Sequence, residues 1–317
     1  MLTSPPPSLI RSRILNLPMI RILGTVLAGL LGLAFGSFLN VCLSRWPEGE
    51  SVVKPRSHCR RCGRTLAWWE NLPLLSWIAL RGRCRTCHEK ISWRYPLVEL
   101  AVGALWAYTV WRSFPTLLFP HAFTFYLDDA VLSLVRTLVL CWILVALAVL
   151  DAEHLWLPDK LTLSGIALGC LFFISHLAMF LFFPLPIGVI GISSGVVWVV
   201  AKFVLGILAA AGLILLIRWI YWLIRRREGI GLGDAKLMAM LGAWLGLSGA
   251  LLSFAIGILL GAVFALLVLC VPAVRRESDT WLLSKLPLGT FLCIGGIISA
   301  LWGEQIIAAY LGWVGLR

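Results

Sequence analysis

Leu138-Val-Leu-Cys-Trp-Ile-Leu-Val-Ala-Leu-Ala-Val-Leu150 contains no charged side chain, no Gly and no Pro, and Asp151 follows it directly. The stretch ends an apolar run over 129–150. A helix needs about 20 residues to cross the hydrocarbon of a bilayer, and runs of about 18 or more apolar residues read as such helices. The strands of a membrane barrel would alternate polar and apolar residues, and this run does not. It therefore predicts a membrane-spanning helix that stops at a carboxylate.

Similar runs recur along the chain. Eight spans are expected, at about 21–44, 96–114, 129–150, 161–182, 195–224, 236–248, 250–272 and 288–314. The sixth is short and the fifth long, which leaves room for a re-entrant piece within 187–224. Of the 317 residues, 60% are hydrophobic and 13% charged, whereas a soluble protein carries roughly a quarter charged residues. The expected fold is an all-α polytopic membrane protein, with the lipid bilayer as its first partner. A net charge of +12 would point to nucleic acid in a soluble chain. In a membrane protein it points to basic loops held in the cytoplasm, and no nucleic-acid partner is expected.

Eleven Lys and Arg residues lie in 45–95, and Lys160, Arg225, Arg226, Arg227, Lys236, Arg275, Arg276 and Lys285 fall in the loops that share its side. Arg11, Arg13, Arg21, Arg112 and Arg317 fall opposite. The excess fixes the first side as cytoplasmic. The start, MLTSPPPSLIRSR, reads as a Pro-rich arm over 1–20 without a cleavable signal peptide. The first span follows at 21–44, then a polar loop at 45–95, then a membrane core over 96–317.

The loop is too short to build a large core and needs a staple. Cys59-Arg-Arg-Cys62 and Cys84-Arg-Thr-Cys87 supply one. Each pair sets two thiolates on a tight turn, and two such turns close a tetrahedral four-sulfur zinc site, giving a small zinc-ribbon-like domain. A reducing cytoplasm argues against disulfides, and neighbouring arginines favour the thiolate form. Four sulfurs leave no open position for water, so the zinc is structural. His58 and His88 flank the cysteines without being needed as ligands. The competing account is a pair of redox or idle dithiols. Cys42, Cys141, Cys170, Cys270 and Cys293 lie in apolar spans and read as core packing.

Acidic residues number only fifteen, so their positions carry information. Asp151 opens Asp151-Ala-Glu-His-Leu-Trp-Leu-Pro158-Asp159, a short connection between the third and fourth spans. Asp234 closes Gly231-Leu-Gly233-Asp234, just before the sixth. Both fall at the cytoplasmic membrane boundary in the deduced topology. Two carboxylates that approach closely share one proton. One then acts as base on a water while the other donates to a carbonyl, which hydrolyses a peptide bond without metal or serine. Glu153, Asp159 and Asp279 read as interfacial anchors, Asp128 and Asp129 as a cap on the third span, and Glu99 is given no role by its spacing. The sequence contains no G-x-S-x-G and no H-E-x-x-H.

Gly36-Ser-Phe-Leu-Asn40-Val, the paired C-x-x-C, Glu70-Asn-Leu-Pro-Leu-Leu-Ser-Trp77, Arg81-Gly-Arg-Cys84 and Ile91-Ser-Trp-Arg-Tyr-Pro-Leu-Val-Glu99 resemble the N-terminal half of type IV prepilin peptidases. Asp151 to Asp159, and Arg227-Glu-Gly-Ile-Gly-Leu-Gly-Asp234-Ala-Lys-Leu, resemble that family's two aspartate motifs. The likeness covers about 25–300. It implies an inner-membrane aspartic peptidase that removes short basic leaders from prepilins and type II secretion pseudopilins, after a Gly on the cytoplasmic side. The catalytic aspartates of the family map onto Asp151 and Asp234. The complete cysteine loop further implies methylation of the new N-terminus with S-adenosylmethionine, although no methyl-transfer residue can be named. Cys59-Arg-Arg-Cys62 lacks the proline often found between the first two cysteines, which leaves the ligand spacing intact.

A transporter with a zinc-stabilised loop is the alternative. Ion paths are marked by ionisable residues inside spans, and here these are Arg136, Lys202, Arg218, Glu99 and His176, with no acidic relay. Trp68, Trp69, Trp93 and Trp156 read as interfacial anchors.

Overall fold

The computed structural model describes residues 7–118, 125–182, 192–227, 231–270 and 286–315. Arg275, Arg276, Asp279 and Lys285 lie outside the described residues, as do Glu228 to Ile230 ahead of Asp234. Among the described residues eight α-helices follow in order: α1 Pro7–Arg45, α2 Leu75–Ala79, α3 Arg94–Leu118, α4 Phe125–His154, α5 Asp159–Phe182, α6 Ile192–Arg225, α7 Leu232–Cys270 and α8 Leu288–Trp313, with a 3-10 turn at Trp68–Asn71. No strand occurs among the described residues; two isolated bridges lie in the loop 45–95.

Six helices are long and apolar enough to cross a membrane among the described residues: α1 from Pro18, α4, α5, α6, α7 and α8. The expected count of eight is not reproduced, and two differences account for it. The second expected span is α3, which is 25 residues long but carries Arg94, Glu99 and Arg112. The sixth and seventh are one element, α7, interrupted where Gly246 adopts φ 69° and ψ −178°. The stretch from Leu232 to Leu245 is about 21 Å long at 1.5 Å per residue, short of a hydrocarbon core of roughly 30 Å. α6 is continuous over Ile192–Arg225.

The helices turn apolar side chains outward, as lipid-facing helices do: Leu205, Leu208, Leu259, Leu266 and Leu267 are all exposed. The chain forms two compact units, Met1–Trp142 and Ile143–Arg317.

In the first unit α1 packs on α3. A Cβ on Gly36 would lie 2.7 Å from the Cα of Glu99, and one on Gly32 would lie 2.9 Å from the Cα of Gly103. Small residues let membrane helices approach backbone to backbone, where dispersion rather than the hydrophobic effect holds them. The seam is tied by Asn40 Nδ2, which donates to the Tyr95 carbonyl at 2.9 Å, and by Arg94, which donates to Ser44 Oγ at 2.7 Å.

In the second unit α7 packs on α5, α6 and α8. Its core includes Leu144, Leu147, Leu150, Ile214, Leu237, Met238, Met240, Leu241 and Trp244, all fully buried. Trp244 donates its indole N–H to the Gly165 carbonyl at 2.8 Å, satisfying the one polar atom of a large buried ring.

Candidate active site

Asp151 lies in the last turn of α4 and Asp234 in the first turn of α7. Both carboxylates are buried, at 6% and 9% exposure. α4 ends one turn beyond Asp151, where Leu155 donates its N–H to the Asp151 carbonyl at 2.9 Å and adopts φ 50°. Pro158 then restricts Leu157 to an extended conformation, and the chain turns into α5. Leu157 packs against two glycines, Gly233 and Gly289, that lie beside the aspartates. A Cβ on Gly233, beside Asp234, would lie 3.1 Å from Leu157 Cβ, and one on Gly289 would lie 3.0 Å from Leu157 Cδ1 and 2.9 Å from the Asp151 carboxyl carbon. The two carboxylates sit near enough to feel each other's charge, and Asp234 also accepts the Gly231 N–H. Cys293, fully buried in α8, feels the charge of both, so the packing cysteine expected there lies near the two aspartates.

The N-terminus of α8 holds Asp151 in place. Its N-cap is Pro287, which has no side-chain acceptor to offer, and the first N–H groups of a helix have no partner inside it. Asp151 Oδ2 takes one of them, accepting the Thr290 N–H at 2.6 Å. The Thr290 hydroxyl lies 3.1 Å from the same oxygen and 3.0 Å from the Ala148 carbonyl. A carboxylate at the positive end of a helix is the arrangement that electrostatics favours.

Asp159, read as an anchor, has a partner: Lys236 Nζ lies 2.6 Å from its Oδ1. The pair links the start of α5 to the first turn of α7. Both side chains are well exposed, so it contributes about 0–1 kcal/mol. Leu155, Trp156 and Leu232 are exposed around the aspartates.

Sequence reasoning named the two aspartates and missed Thr290, Gly289, Leu157 and Lys236. A signal for the first two exists in Pro287-Leu-Gly-Thr290. A helix that starts behind a proline, with no Ser, Thr, Asp or Asn at its cap, needs an acceptor from elsewhere.

In the first unit, Cys59, Cys62, Cys84 and Cys87 converge, all four sulfurs lying within 4.8 Å of one another, and Cys59 and Cys87 at 3.7 Å. Tetrahedral zinc with Zn–S bonds of about 2.3 Å places its sulfurs about 3.8 Å apart, so the residues fit the ion. The two turns are built alike. Cys59 N–H donates to the Arg64 carbonyl and Gly63 N–H to that of Cys59, both at 2.9 Å; Cys84 N–H donates to Glu89 at 2.8 Å and His88 N–H to Cys84 at 3.0 Å. Gly63 and His88 occupy the same place in their turns, at φ 68° and 55°. That gives His88 a conformational role, and His58 Nδ1 lies against the Arg56 carbonyl.

Amide N–H groups of Cys87 and Thr86 push the Cys84 thiol down to about 6, and those of Cys62 and Arg61 lower that of Cys59. Desolvation and the neighbouring sulfurs push Cys87 up to about 12. Thiolates crowded in this way are stabilised together by a divalent cation. Behind the turns Arg64 bonds Glu70 Oε1 at 2.6 Å, while Glu70 Oε2 accepts the Ala67 N–H at 2.7 Å. Arg61 also pairs with Glu89 across the two turns.

Fold and site together define a polytopic helical membrane protein that buries two carboxylates at the ends of α4 and α7, within range of each other's charge. Residues 30–113 match the bacterial peptidase A24 N-terminal domain, and residues 138–266 match the type IV leader peptidase family. A Stutzerimonas stutzeri protein named prepilin leader peptidase/N-methyltransferase is 34% identical over 304 residues, covering 89% of this chain and 91% of the relative. A Pseudomonas aeruginosa protein of the same name is 34% identical over 311 residues, covering 91% and 93%. Another from Myxococcus xanthus is 38% identical over 244 residues, covering 75% and 61%. The chain belongs to the type IV leader peptidase family. These names give the transporter alternative no support. No solved structure matches the chain.

Proposed function

We propose that the chain removes the short basic leaders of type IV prepilins and type II secretion pseudopilins, cutting after a Gly at the cytoplasmic face of the bacterial inner membrane. It then methylates the new N-terminal amine. Family membership and the paired names of the relatives support both activities. The excess of Lys and Arg in the loops supports the cytoplasmic orientation.

One observation carries the peptidase reading: two buried aspartates interact at the ends of α4 and α7, one of them fastened to the head of α8. Catalysis follows from that pairing. A close carboxylate pair holds one proton between its members. The ionised member draws a proton from a water aimed at the carbonyl carbon after the Gly, and the protonated member donates to the carbonyl oxygen. The tetrahedral adduct then collapses with proton transfer to the departing amine. Burial keeps competing water away and strengthens each interaction.

Loop 45–95 serves methyl transfer, and the aspartate-bearing helices within 96–317 form the peptidase core. Cys59, Cys62, Cys84 and Cys87 would hold zinc in a closed four-sulfur shell that shapes the loop and leaves no position for substrate. S-adenosylmethionine would supply the methyl group.

The test is mass analysis of a prepilin with a Gly-Phe junction, incubated with membranes containing the protein and S-adenosylmethionine. Wild type is expected to remove the leader and add one methyl group. Asp151→Asn and Asp234→Asn are each expected to abolish cleavage. Cleavage by either variant at the wild-type rate sinks the paired-aspartate reading.

A further inference from the structure

The first unit holds an open-mouthed cavity of about 890 Å³ where the last turns of α1, the first turns of α3 and the cysteine loop meet. That size suits a small-molecule site. Exposed Arg61 and Lys90 lie at its loop side, Trp77 and Tyr95 line it, and Asn40 and Glu99 form its buried end.

At that end, among the described residues, one buried acceptor has no donor, and one buried carboxylate has hydrogen bonds but no cation. Asn40 is 1% exposed; its Nδ2 is spent on the Tyr95 carbonyl, while its Oδ1 is buried and has no donor. Buried acceptors are almost always paired, so an orphan on a residue that lines the cavity calls for an explanation. Glu99 is 7% exposed. Its carboxylate accepts the Leu74 N–H at 2.8 Å and the Ser37 hydroxyl, but it has no cationic partner among the described residues. The other buried carboxylate of this cavity, Glu70, is fully engaged by Arg64 and Ala67.

The loop also strains itself to reach Glu99. Leu74 adopts φ 59° and ψ −48°, closed by a Leu75 N–H to Pro73 carbonyl bond of 2.6 Å. This is the rare positive-φ γ-turn, a conformation a leucine holds only where its surroundings over-determine it. A buried carboxylate without a cation, beside an acceptor without a donor, is the complement of a small cationic ligand that carries N–H groups.

We propose that this cavity binds S-adenosylmethionine, its sulfonium end against Glu99 and its ammonium donating to Asn40 Oδ1. The proposal rests on the methyltransferase reading above and supplies the residues that reading lacks. In the transfer the carbon–sulfur bond breaks with its electron pair left on sulfur, the lone pair of the neutral amine forms the nitrogen–carbon bond, and the nitrogen sheds a proton to water. Glu99 thus recognises a positive charge that the product S-adenosylhomocysteine no longer has at sulfur.

The experiment measures equilibrium binding to the zinc-loaded, detergent-solubilised full chain. Its probes are S-adenosylmethionine, sinefungin (which carries an amine at the position of the sulfonium) and S-adenosylhomocysteine. Wild type should bind the two cationic probes more tightly than the neutral one. Glu99→Gln should weaken the cationic pair by roughly tenfold or more while moving S-adenosylhomocysteine by less than about threefold. Asn40→Ala should weaken all three, because each retains the amino-acid ammonium. Both variants should still remove leaders, which reports that they are folded.

No preference for the cationic probes in wild type overturns the proposal without need of any variant. An equal loss of all three probes in Glu99→Gln, or no loss, overturns it as well. In those cases a wild type that still methylates cleaved prepilin leaves the methyltransferase reading standing. A wild type that neither binds nor methylates removes both.

Discussion

Thr290 meets Asp151 Oδ2 with its backbone N–H at 2.6 Å and with its hydroxyl at 3.1 Å, whose one proton is shared with the Ala148 carbonyl at 3.0 Å. The N–H comes with the helix, but the hydroxyl is a choice of side chain. Thr290→Val keeps the shape and the N–H and removes only the hydroxyl bonds to Asp151 and Ala148. A hydrogen bond to a charged group is worth about 1.5–3 kcal/mol, so leader removal is expected to slow by roughly tenfold or more. Methylation of an already cleaved pilin should not change. A kcat for cleavage equal to wild type would show that the N–H alone positions the carboxylate.

Gly289 makes the same approach from the backbone side. A Cβ there would lie 2.9 Å from both the carboxyl carbon and Oδ2 of Asp151, closer than real Cβ contacts come. Either Asp151 swings away or the head of α8 shifts, and both displace the carboxylate from Asp234. Gly289→Ala should therefore reduce cleavage more than Thr290→Val, beyond about 100-fold if the shift approaches 1 Å, with zinc content unchanged. Cleavage comparable to Thr290→Val would mean that the site yields around the added methyl.

These two residues mark where the sequence stopped being informative. Apolar runs report length and solvent, so helix positions were legible, as were the cysteine turns, whose spacing is set by local geometry. The span count was not. Gly246 looks like any glycine in an apolar run, and no flanking residue announces its φ of 69°. The apolar run over 96–114 is long enough for a span, but Glu99 and Arg112 within it lower its apolar character. Asp151 and Asp234 stood out because carboxylates are scarce in an apolar chain. Thr290 and Gly289 lie more than a hundred residues from Asp151, and no local pattern ties a small residue to a distant carboxylate. Glu99 was visible but mute, since only the cavity beside it gives it something to do.

Glu70 offers a pH test of the loop. The Arg64 guanidinium beside it holds its carboxyl below the usual carboxylate range, helped by the Ala67 N–H and opposed by burial. A carboxyl depressed in the folded state contributes stability that is fully present above its unfolded value, about 4.5, and is lost as pH falls through the folded value. Glu70→Gln should loosen the loop at pH 7, with amide protection in 57–92 falling about tenfold. The gap from wild type should narrow as pH falls below about 4.5 and close once pH has passed the lower folded value. Protonation of the cysteines at acid pH affects both proteins alike, so the difference is the quantity to follow by hydrogen exchange. A gap that persists unchanged to pH 3 would assign the effect to packing.

The zinc reading makes a sharper demand, because four cysteines can converge for other reasons. If they hold zinc, protein purified without added metal should contain about one zinc per chain, measured by elemental analysis, and Cys84→Ser should contain far less. Cys84 is the buried member of the cluster, and its thiol is brought down to about 6 by amide N–H groups. It is thus the ligand best prepared as a thiolate at neutral pH, and a serine in its place offers zinc a poor ligand. The turns depend on the ion for their shape, since so short a polar loop has little core of its own. Losing zinc should therefore expose 57–92 to exchange and, because Cys59, Arg64 and Glu70 help to wall the cavity beside Glu99, abolish methyl transfer. Wild-type protein that is free of metal yet protected over 57–92 would point to the dithiol account instead, and alkylation with and without reductant would then tell paired thiols from free ones.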